Sequence, residues 1–158
     1  MNFDYIKMLK KPGKCGIDVY KCIGAEMDEQ WSFVKNKKNQ VWLWWTVDHE
    51  TGVVLAYTFG TRKHKYLKVL LALLKPFNIT KVHSDNNFAY SNNIPEEMLE
   101  IGKQNTQNIE RKHLTLRTRI KRLARKTICF SKSERLHRIV IGLFINNFFF
   151  NRCLPVFN

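Results

Sequence analysis

The sequence predicts an α/β domain built on a mixed five-stranded sheet with helices on its faces. Three strand-like runs follow one another closely between residues 26 and 59, a helix and a further strand come next, and two helical segments follow those. Strands joined by short loops pair antiparallel, whereas a strand reached through a helix pairs in parallel. The pattern therefore favours three antiparallel strands followed by strand–helix units.

The three opening strands differ in their patterning. Glu26–Val34 alternates, with acidic and amide side chains on one face and apolar ones on the other. Val41–Val47 is an almost unbroken apolar run, as expected of a strand that is covered on both faces. Val53–Phe59 is β-branched and aromatic, and the Thr-Gly pair before it supplies a turn. The polar linker at 35–39 suits a hairpin loop, so the three runs are predicted to form a meander.

A helix and a fourth strand follow the meander. Thr61–Lys75 is predicted to be a helix that is capped by its first residue and ended by the proline that follows. The fourth strand, Ile79–Ser84, leads directly into Asp85. The Asn-rich stretch from Asn86 to Gly102 predicts a loop with short elements. The expected buried face of the helix is a stripe of leucines: Leu67, Leu70, Leu71 and Leu74.

Two further helices are predicted after residue 105. Thr106–Arg125 has an apolar stripe and basic residues around the remainder of its surface. The last helix opens with a capping-box pattern in which Ser131 and Glu134 satisfy free backbone N–H groups. The predicted buried stripes are Ile109, Leu116, Ile120 and Leu123 on the first helix, and Leu136, Ile139, Val140, Leu143 and Phe144 on the second.

This order of elements is that of the ribonuclease H-like fold, although element order alone does not assign a function. Residues 1–22 are weakly patterned and are interpreted as a leader or a partial element. Residues 23–158 are then predicted to form one domain of that fold.

The charge balance points to a polyanionic partner. Lys and Arg outnumber Asp and Glu by 27 to 13, which gives a formal net charge of +14. Such a field attracts DNA, RNA or anionic lipid. The most apolar tract, Ile139–Phe150, is interrupted by two asparagines and is too short to span a membrane. Neither an export signal nor closely spaced cysteine pairs are evident, so we expect reduced thiols, no membrane insertion and a cytoplasmic location.

Three carboxylates occupy positions that suit metal chemistry. Asp28 lies inside the first strand, Asp85 follows the fourth strand, and Glu110 lies in the first turns of a helix beside Ile109. If the first and fourth strands are neighbours, the three carboxylates converge. Oxygen ligands on separate elements suit Mg²⁺, and two such ions could support in-line displacement at a phosphodiester.

Each of these residues also has a simpler interpretation. A strand aspartate is often a salt-bridge partner, Asp85 could cap a turn, and Glu110 could form a surface ion pair. Glu26 and Asp48 are the acids most easily mistaken for members of the site. The basic face that follows Glu110 could meet DNA phosphate or simply be solvated.

Several longer motifs resemble the transposases of the insertion sequence one family. They are Glu26-Met-Asp-Glu-Gln-Trp31, Asp48 at the end of the second strand, Val54 to Gly60, Thr106-Gln-Asn-Ile-Glu-Arg111, Leu114-Thr-Leu-Arg117 and Phe130-Ser-Lys-Ser133 followed by His137. By this resemblance Asp28, Asp85 and Glu110 match the DDE triad that holds two Mg²⁺ or Mn²⁺ ions. Arg117 matches the basic residue that follows the glutamate.

The resemblance also implies partners. They are transposon-end and target DNA in the nucleoid, a second copy of the chain, and a DNA-binding segment or protein encoded in an upstream frame. The residues expected to contact DNA are Arg111, His113, Arg117, Lys121 and Arg125.

Two other functions remain open at this point. A non-catalytic DNA-binding protein, such as a degenerate copy or an inhibitor of the full transposase, would use the same basic helix without metal. A ribonuclease H-like nuclease that acts on RNA–DNA hybrids would share the fold, although the motifs favour a transposase.

Overall fold

A computed structural model describes residues 22–85, 88–124, 126 and 128–150. It contains a five-stranded mixed sheet, which confirms the predicted fold class. The predicted leader lies outside the described residues apart from Cys22. The strands are β1 Gly24–Val34, β2 Asn36–Asp48, β3 Val54–Gly60, β4 Lys81–Ser84 and β5 Leu99–Ile101. Their order in the sheet is β3-β2-β1-β4-β5. The helices are α1 His64–Leu74, α2 Phe88–Ser91, α3 Gln107–Arg119 and α4 Glu134–Phe148, with 3-10 turns at Lys75–Phe77, Glu96–Met98, Lys103–Asn105 and Lys121–Leu123.

The first two strands form a long antiparallel hairpin. Asp28 pairs with Trp45, and Trp31 pairs with Trp42. The hairpin continues to a tight turn at Lys35, which has a positive φ of 66°. Residues 36–40 are exposed, and Asn36 and Gln40 pair with Val34 and Phe33 around an irregularity in the register, so the polar stretch predicted to be a loop belongs to a solvent-facing extension of β2. Polar composition marks exposure here, and it does not exclude a strand.

The parallel half of the sheet brings the acidic segments together. β4 pairs in parallel with β1, and Met27 lies opposite Ser84. The next residues along the two strands are Asp28 and Asp85, which are therefore neighbours at one edge. β5 adds a further parallel strand in the stretch predicted to be mostly irregular.

Each face of the sheet carries its own core. Trp44 and Met27 pack with α1, where the predicted leucine stripe is buried or half-buried against the sheet. Trp45 packs on the opposite face with Ile109 and Leu116 of α3 and with residues of α4. The sheet is thus covered on both sides, which explains the unbroken apolar run of β2.

Several predicted helix boundaries are wrong. Thr61 does not cap α1, which begins at His64 after Lys63 and has no side-chain cap. The helix after Thr106 ends at Arg119 and not at Arg125, because Ile120 turns to an extended conformation. Ile120 and Leu123 remain buried or half-buried beyond that end, so the apolar spacing alone did not reveal it.

The start of α4 also differs from the capping-box prediction. The N-cap is Ser133, whose hydroxyl accepts from the backbone N–H of Leu136. Ser131 is buried, and its hydroxyl bonds Nδ1 of His137 at 2.7 Å, while Nε2 of the same ring bonds the Ser32 hydroxyl at 2.7 Å. Because two serines satisfy both ring nitrogens, a polar residue lies on the buried face. The buried stripe is therefore His137, Ile141 and Ile145, and the predicted stripe is half-buried.

A carboxylate on β1 fixes the position of α3. Glu26 is 1% exposed, and its Oε2 accepts the backbone N–H of Ile109 at 2.9 Å. Its Oε1 accepts from the Asn108 amide at 3.0 Å and lies 2.9 Å from Nδ1 of His49. Because the residue that precedes α3 makes no side-chain cap, a residue of the sheet supplies this bond.

Replacing Glu26 with Ala should destabilise the fold by roughly 2–4 kcal/mol, because the substitution leaves buried donors without their charged acceptor. Chemical denaturation of the purified chain measures this loss. Glu134→Ala, which removes an exposed helix carboxylate paired with Arg138, should cost less than about 1 kcal/mol. Equal losses in the two variants would show that Glu26 does not anchor α3.

Candidate active site

An acidic cluster lies where β1 and β4 run side by side. One carboxylate oxygen from each of Asp28, Glu29 and Asp85 lies within 4.8 Å of the others. Asp85 directly follows β4, at the carboxyl end of a parallel strand, where sheets of this kind commonly place their sites. The structure therefore brings together two of the three acids predicted from the sequence and adds a neighbour.

Asp28 is a strongly perturbed acid within the cluster. Burial, with smaller contributions from the charges of Glu29, Asp85 and Glu110, raises its pKa from 3.8 to about 7. One hydrogen bond opposes this change: the backbone N–H of Glu29 donates to Oδ1 at 2.7 Å. A carboxyl group that is crowded by other acids gains most from a nearby cation.

A histidine on α3 faces the other oxygen of Asp28. The Nε1–H of Trp45 donates to Nε2 of His113 at 2.7 Å, so that nitrogen is an acceptor. Burial, together with the charge of Arg117, lowers the pKa of His113 to about 3, and the ring is neutral. Its proton is therefore on Nδ1, which lies 3.4 Å from Oδ2 of Asp28. Trp45 thus sets the tautomer that faces the carboxylate.

Glu110 approaches this group from α3. It lies in the first turn of the helix, next to the Ile109 N–H that Glu26 holds. Its side chain is exposed, and it is not part of the three-acid group within 4.8 Å. It is close enough for its charge to raise the pKa of Asp28. The structure places Glu110 at the rim of the cluster.

The residues expected to contact DNA occupy different environments. Arg111 and Lys121 are exposed, and Arg117 is half-buried close to His113. His113 itself is buried and both of its ring nitrogens face protein groups, which does not fit the expected contact with DNA. Arg125 lies outside the described residues.

Glu29 is the site residue that the sequence argument missed. Neighbouring strand residues point to opposite faces, so Asp28 and Glu29 were not expected to meet. Here both reach the same edge. The hydroxyl of Tyr90 donates to Oε2 of Glu29 at 2.8 Å, and Nε of Arg62 lies 3.9 Å from Oε1. The adjacency of two acids, with Glu26 two residues before them, was the available signal in this strand.

Asp48 serves the fold and lies away from the cluster. It accepts from the backbone N–H and the hydroxyl of Thr51 and from the thiol of Cys22. Burial would raise its pKa, but these hydrogen bonds outweigh it and lower the pKa overall. The turn that Asp48 closes ends at Gly52, where a φ of 68° favours glycine.

Comparison with known sequences identifies the family. Residues 21–151 match the IS1 transposase family. The chain belongs to the IS1 transposase family. It is 55% identical over 126 residues to the insertion element iso-IS1n protein InsB of Shigella dysenteriae, covering 80% of this chain and 96% of that one. It is 41% identical over 131 residues to the insertion element IS1 9 protein InsB of Escherichia coli K12, covering 83% and 77%.

Solved structures show the same fold. The catalytic core domain of BIV integrase aligns with a TM-score of 0.51 at 17% identity, over 80% of this chain and 84% of that one. A chain of the simian T-cell lymphotropic virus intasome aligns with a TM-score of 0.52 at 17% identity, over 82% and 50%. The protein is thus an IS1-family DNA transposase with an integrase-like, ribonuclease H-like fold, and its role is of the polynucleotidyl transferase kind. Within the described residues, no helix has the length and apolar character needed to cross a bilayer.

The raised pKa of Asp28 predicts a pH-dependent stability. Between pH 4 and 7 the folded chain keeps a proton that the unfolded chain has lost, so the free energy of unfolding falls as pH rises. Asp28→Asn removes this titration. In metal-free buffer the variant should gain stability over the wild type as pH rises from 4 to 7, measured by urea denaturation at each pH. A stability difference that is flat with pH would contradict the raised pKa.

Proposed function

We propose that Asp28, Asp85 and Glu110 carry the cleavage and strand-transfer chemistry of this transposase. The observation that supports it most is the meeting of the Asp28 and Asp85 carboxylates where β1 and β4 run parallel. Glu110 joins them from the first turn of α3, and its charge acts on Asp28. The family assignment favours the same three residues.

The cluster suits divalent metal ions, with Mg²⁺ or Mn²⁺ as the proposed cofactor and two ions as the proposed number. Three carboxylates with oxygens within 4.8 Å of one another, one of them with a pKa raised to about 7, form a compact group of oxygen ligands. Hard oxygen ligands of this type favour Mg²⁺ over softer metals. When bound, such ions lower the barrier to displacement at phosphorus. Asp28, Asp85 and Glu110 would hold them, with Glu29 as an additional oxygen ligand.

The remaining residues of the site position these acids and the DNA. His113 and Trp45 orient the Asp28 carboxylate through one defined tautomer. Glu26 holds the first turn of α3, so Glu110 stays at the rim of the cluster. The exposed cations Arg111 and Lys121 are proposed to bind backbone phosphates of the transposon ends and the target. Arg117, beside His113, is proposed to meet a phosphate nearer the site.

The proposed assembly extends beyond this chain. Transposon ends are paired before strand transfer, so we infer a homo-oligomer that acts on nucleoid DNA. A DNA-binding segment or protein from the upstream frame is proposed to recognise the ends, because the net charge of +14 attracts DNA without selecting a sequence.

A non-catalytic DNA-binding role is the second candidate. The exposure of Glu110 and its place outside the three-acid group favour it. In that case the chain would bind DNA in a salt-sensitive way that does not depend on divalent metal. Metal-dependent joining by the purified chain would exclude this role.

The triad is tested by strand transfer of pre-cleaved transposon-end oligonucleotides. Asp28→Asn, Asp85→Asn and Glu110→Gln should each lower the rate by at least roughly 10²-fold, because each removes a charged oxygen from the reacting centre. Glu134→Gln is the matched control on an exposed helix position and should keep full activity. A variant that transfers strands at the wild-type rate would remove its residue from the triad. If the wild type is inactive, the same series is repeated with the upstream segment fused on.

The role of Glu29 is tested by metal binding. Glu29→Gln should weaken Mn²⁺ binding to the chain by roughly tenfold or more, because the loss of one oxygen charge reduces the attraction of the cluster. Electron paramagnetic resonance of free Mn²⁺ measures this affinity in the absence of DNA. Glu97→Gln, at an exposed position, provides the control. Unchanged Mn²⁺ affinity would remove Glu29 from the metal ligands and assign it to its contacts with Tyr90 and Arg62.

A further inference from the structure

The β1–β2 hairpin carries an aromatic surface that no part of the proposed chemistry uses. Trp31 is 42% exposed, and Phe130, from the loop before α4, is 38% exposed. Phe33 lies between them, with ring centroids 6.5 Å from Trp31 and 6.1 Å from Phe130. Large exposed aromatic rings cost free energy in water, and a contiguous row of them commonly marks a binding surface. We call Trp31, Phe33 and Phe130 the aromatic row.

The aromatic row begins beside the acidic cluster. Glu29, Trp31 and Phe33 occupy alternate positions of β1, so they share one face at steps of about 6.6 Å. The carboxylate of Glu29 is a member of the cluster, and Trp31 is the next side chain along the same face. A nucleic-acid strand that extends from the acidic cluster along this face of β1 reaches the aromatic row first.

The charge around the aromatic row is positive. Residues 30–47 contain three lysines and no Asp or Glu. Lys35, Lys37 and Lys38 are exposed at the tip of the hairpin. On the same face as Trp31, the guanidinium of Arg62 lies 5.1 Å from the ring centroid of Trp42. Between residues 30 and 47 the hairpin thus combines aromatic faces with cations and contains no acid that would repel a phosphate backbone.

We propose that the aromatic row and the lysine tip bind single-stranded DNA next to the phosphate that reacts at the acidic cluster. Exposed rings stack on unpaired bases, and lysines follow the backbone, which is how single strands are held without sequence preference. A duplex hides the faces of its bases, so it offers the row nothing to stack on. The inference rests on the proposed function in taking the acidic cluster as the reacting centre.

The experiment uses the full chain with a 15-residue oligothymidylate and with a mixed-sequence duplex of equal length, in EDTA. All four tryptophans of the chain are in the described part, and Trp42, Trp44 and Trp45 are buried. Tryptophan fluorescence should therefore be quenched by the oligothymidylate through Trp31 and much less by the duplex. Trp31→Phe should abolish the quenching and retain binding measured by anisotropy.

Two sets of variants test the affinity. Trp31→Ala should weaken oligothymidylate binding roughly tenfold and duplex binding little, because it removes one stacking partner. Phe148→Ala, at a 53% exposed aromatic position on α4, is the matched control and should change neither. Replacing Lys37 and Lys38 with Gln should reduce the steepness of the plot of log affinity for oligothymidylate against log salt concentration by about 1.4. The same replacement of Lys65 and Lys68 on α1 is the control and should leave the slope unchanged.

Unquenched fluorescence, or equal losses of single-strand and duplex binding in Trp31→Ala, would overturn the proposal. The binding assays run without metal, so they do not depend on catalysis. Glu110→Gln should bind oligothymidylate as the wild type does even though it is expected to lose strand transfer. Intact binding by a wild type that stays inactive with the upstream segment fused on would therefore count against the proposed chemistry and still support the single-strand surface.

Discussion

The bond from Glu26 to the N-terminus of α3 is the interaction on which the site depends. A buried carboxylate on a central strand is costly unless its charge is compensated by donors. Here the backbone of Ile109 and the amide of Asn108 supply those donors, and the partial positive charge of the helix start adds to them. The same bond satisfies a free N–H of α3 and fixes how the helix approaches β1. Glu110 and His113 take their positions from it.

The parallel pairing of β1 with β4 supplies the second constraint. This pairing places Asp28 opposite the end of β4, so Asp85, the residue that follows β4, lies beside it. Burial, together with the repulsion from Glu29 and Asp85, raises the pKa of Asp28 to about 7. Burying this carboxylate therefore costs free energy, and one hydrogen bond from the Glu29 backbone reduces that cost. Such strain is expected where function and not stability selects the residues.

The sequence could predict the antiparallel meander because alternating runs joined by short loops indicate it. It predicted that Asp28 and Asp85 meet only through the fold class, which places the first and fourth strands side by side. It could not predict the inclusion of Glu29, since strand periodicity places adjacent side chains on opposite faces. It also misplaced the buried stripe of α4, because His137 is buried only through its two serine partners, and one of those, Ser32, is distant in sequence. Hydrophobic periodicity does not identify buried polar residues whose hydrogen-bond partners come from other elements of the fold.

The two faces of β1 carry residues with different roles. Glu26 and Asp28 point toward α3, where Glu26 bonds the start of the helix and Asp28 faces Nδ1 of His113. Glu29, Trp31 and Phe33 share the opposite face, which passes from the acidic cluster to the exposed aromatic row. Acidic residues at the centre attract cations and repel DNA, whereas the basic hairpin beyond them attracts it. The β1 strand thus carries carboxylate oxygens of the cluster and part of the proposed DNA-binding surface. The sheet keeps the two at a fixed separation.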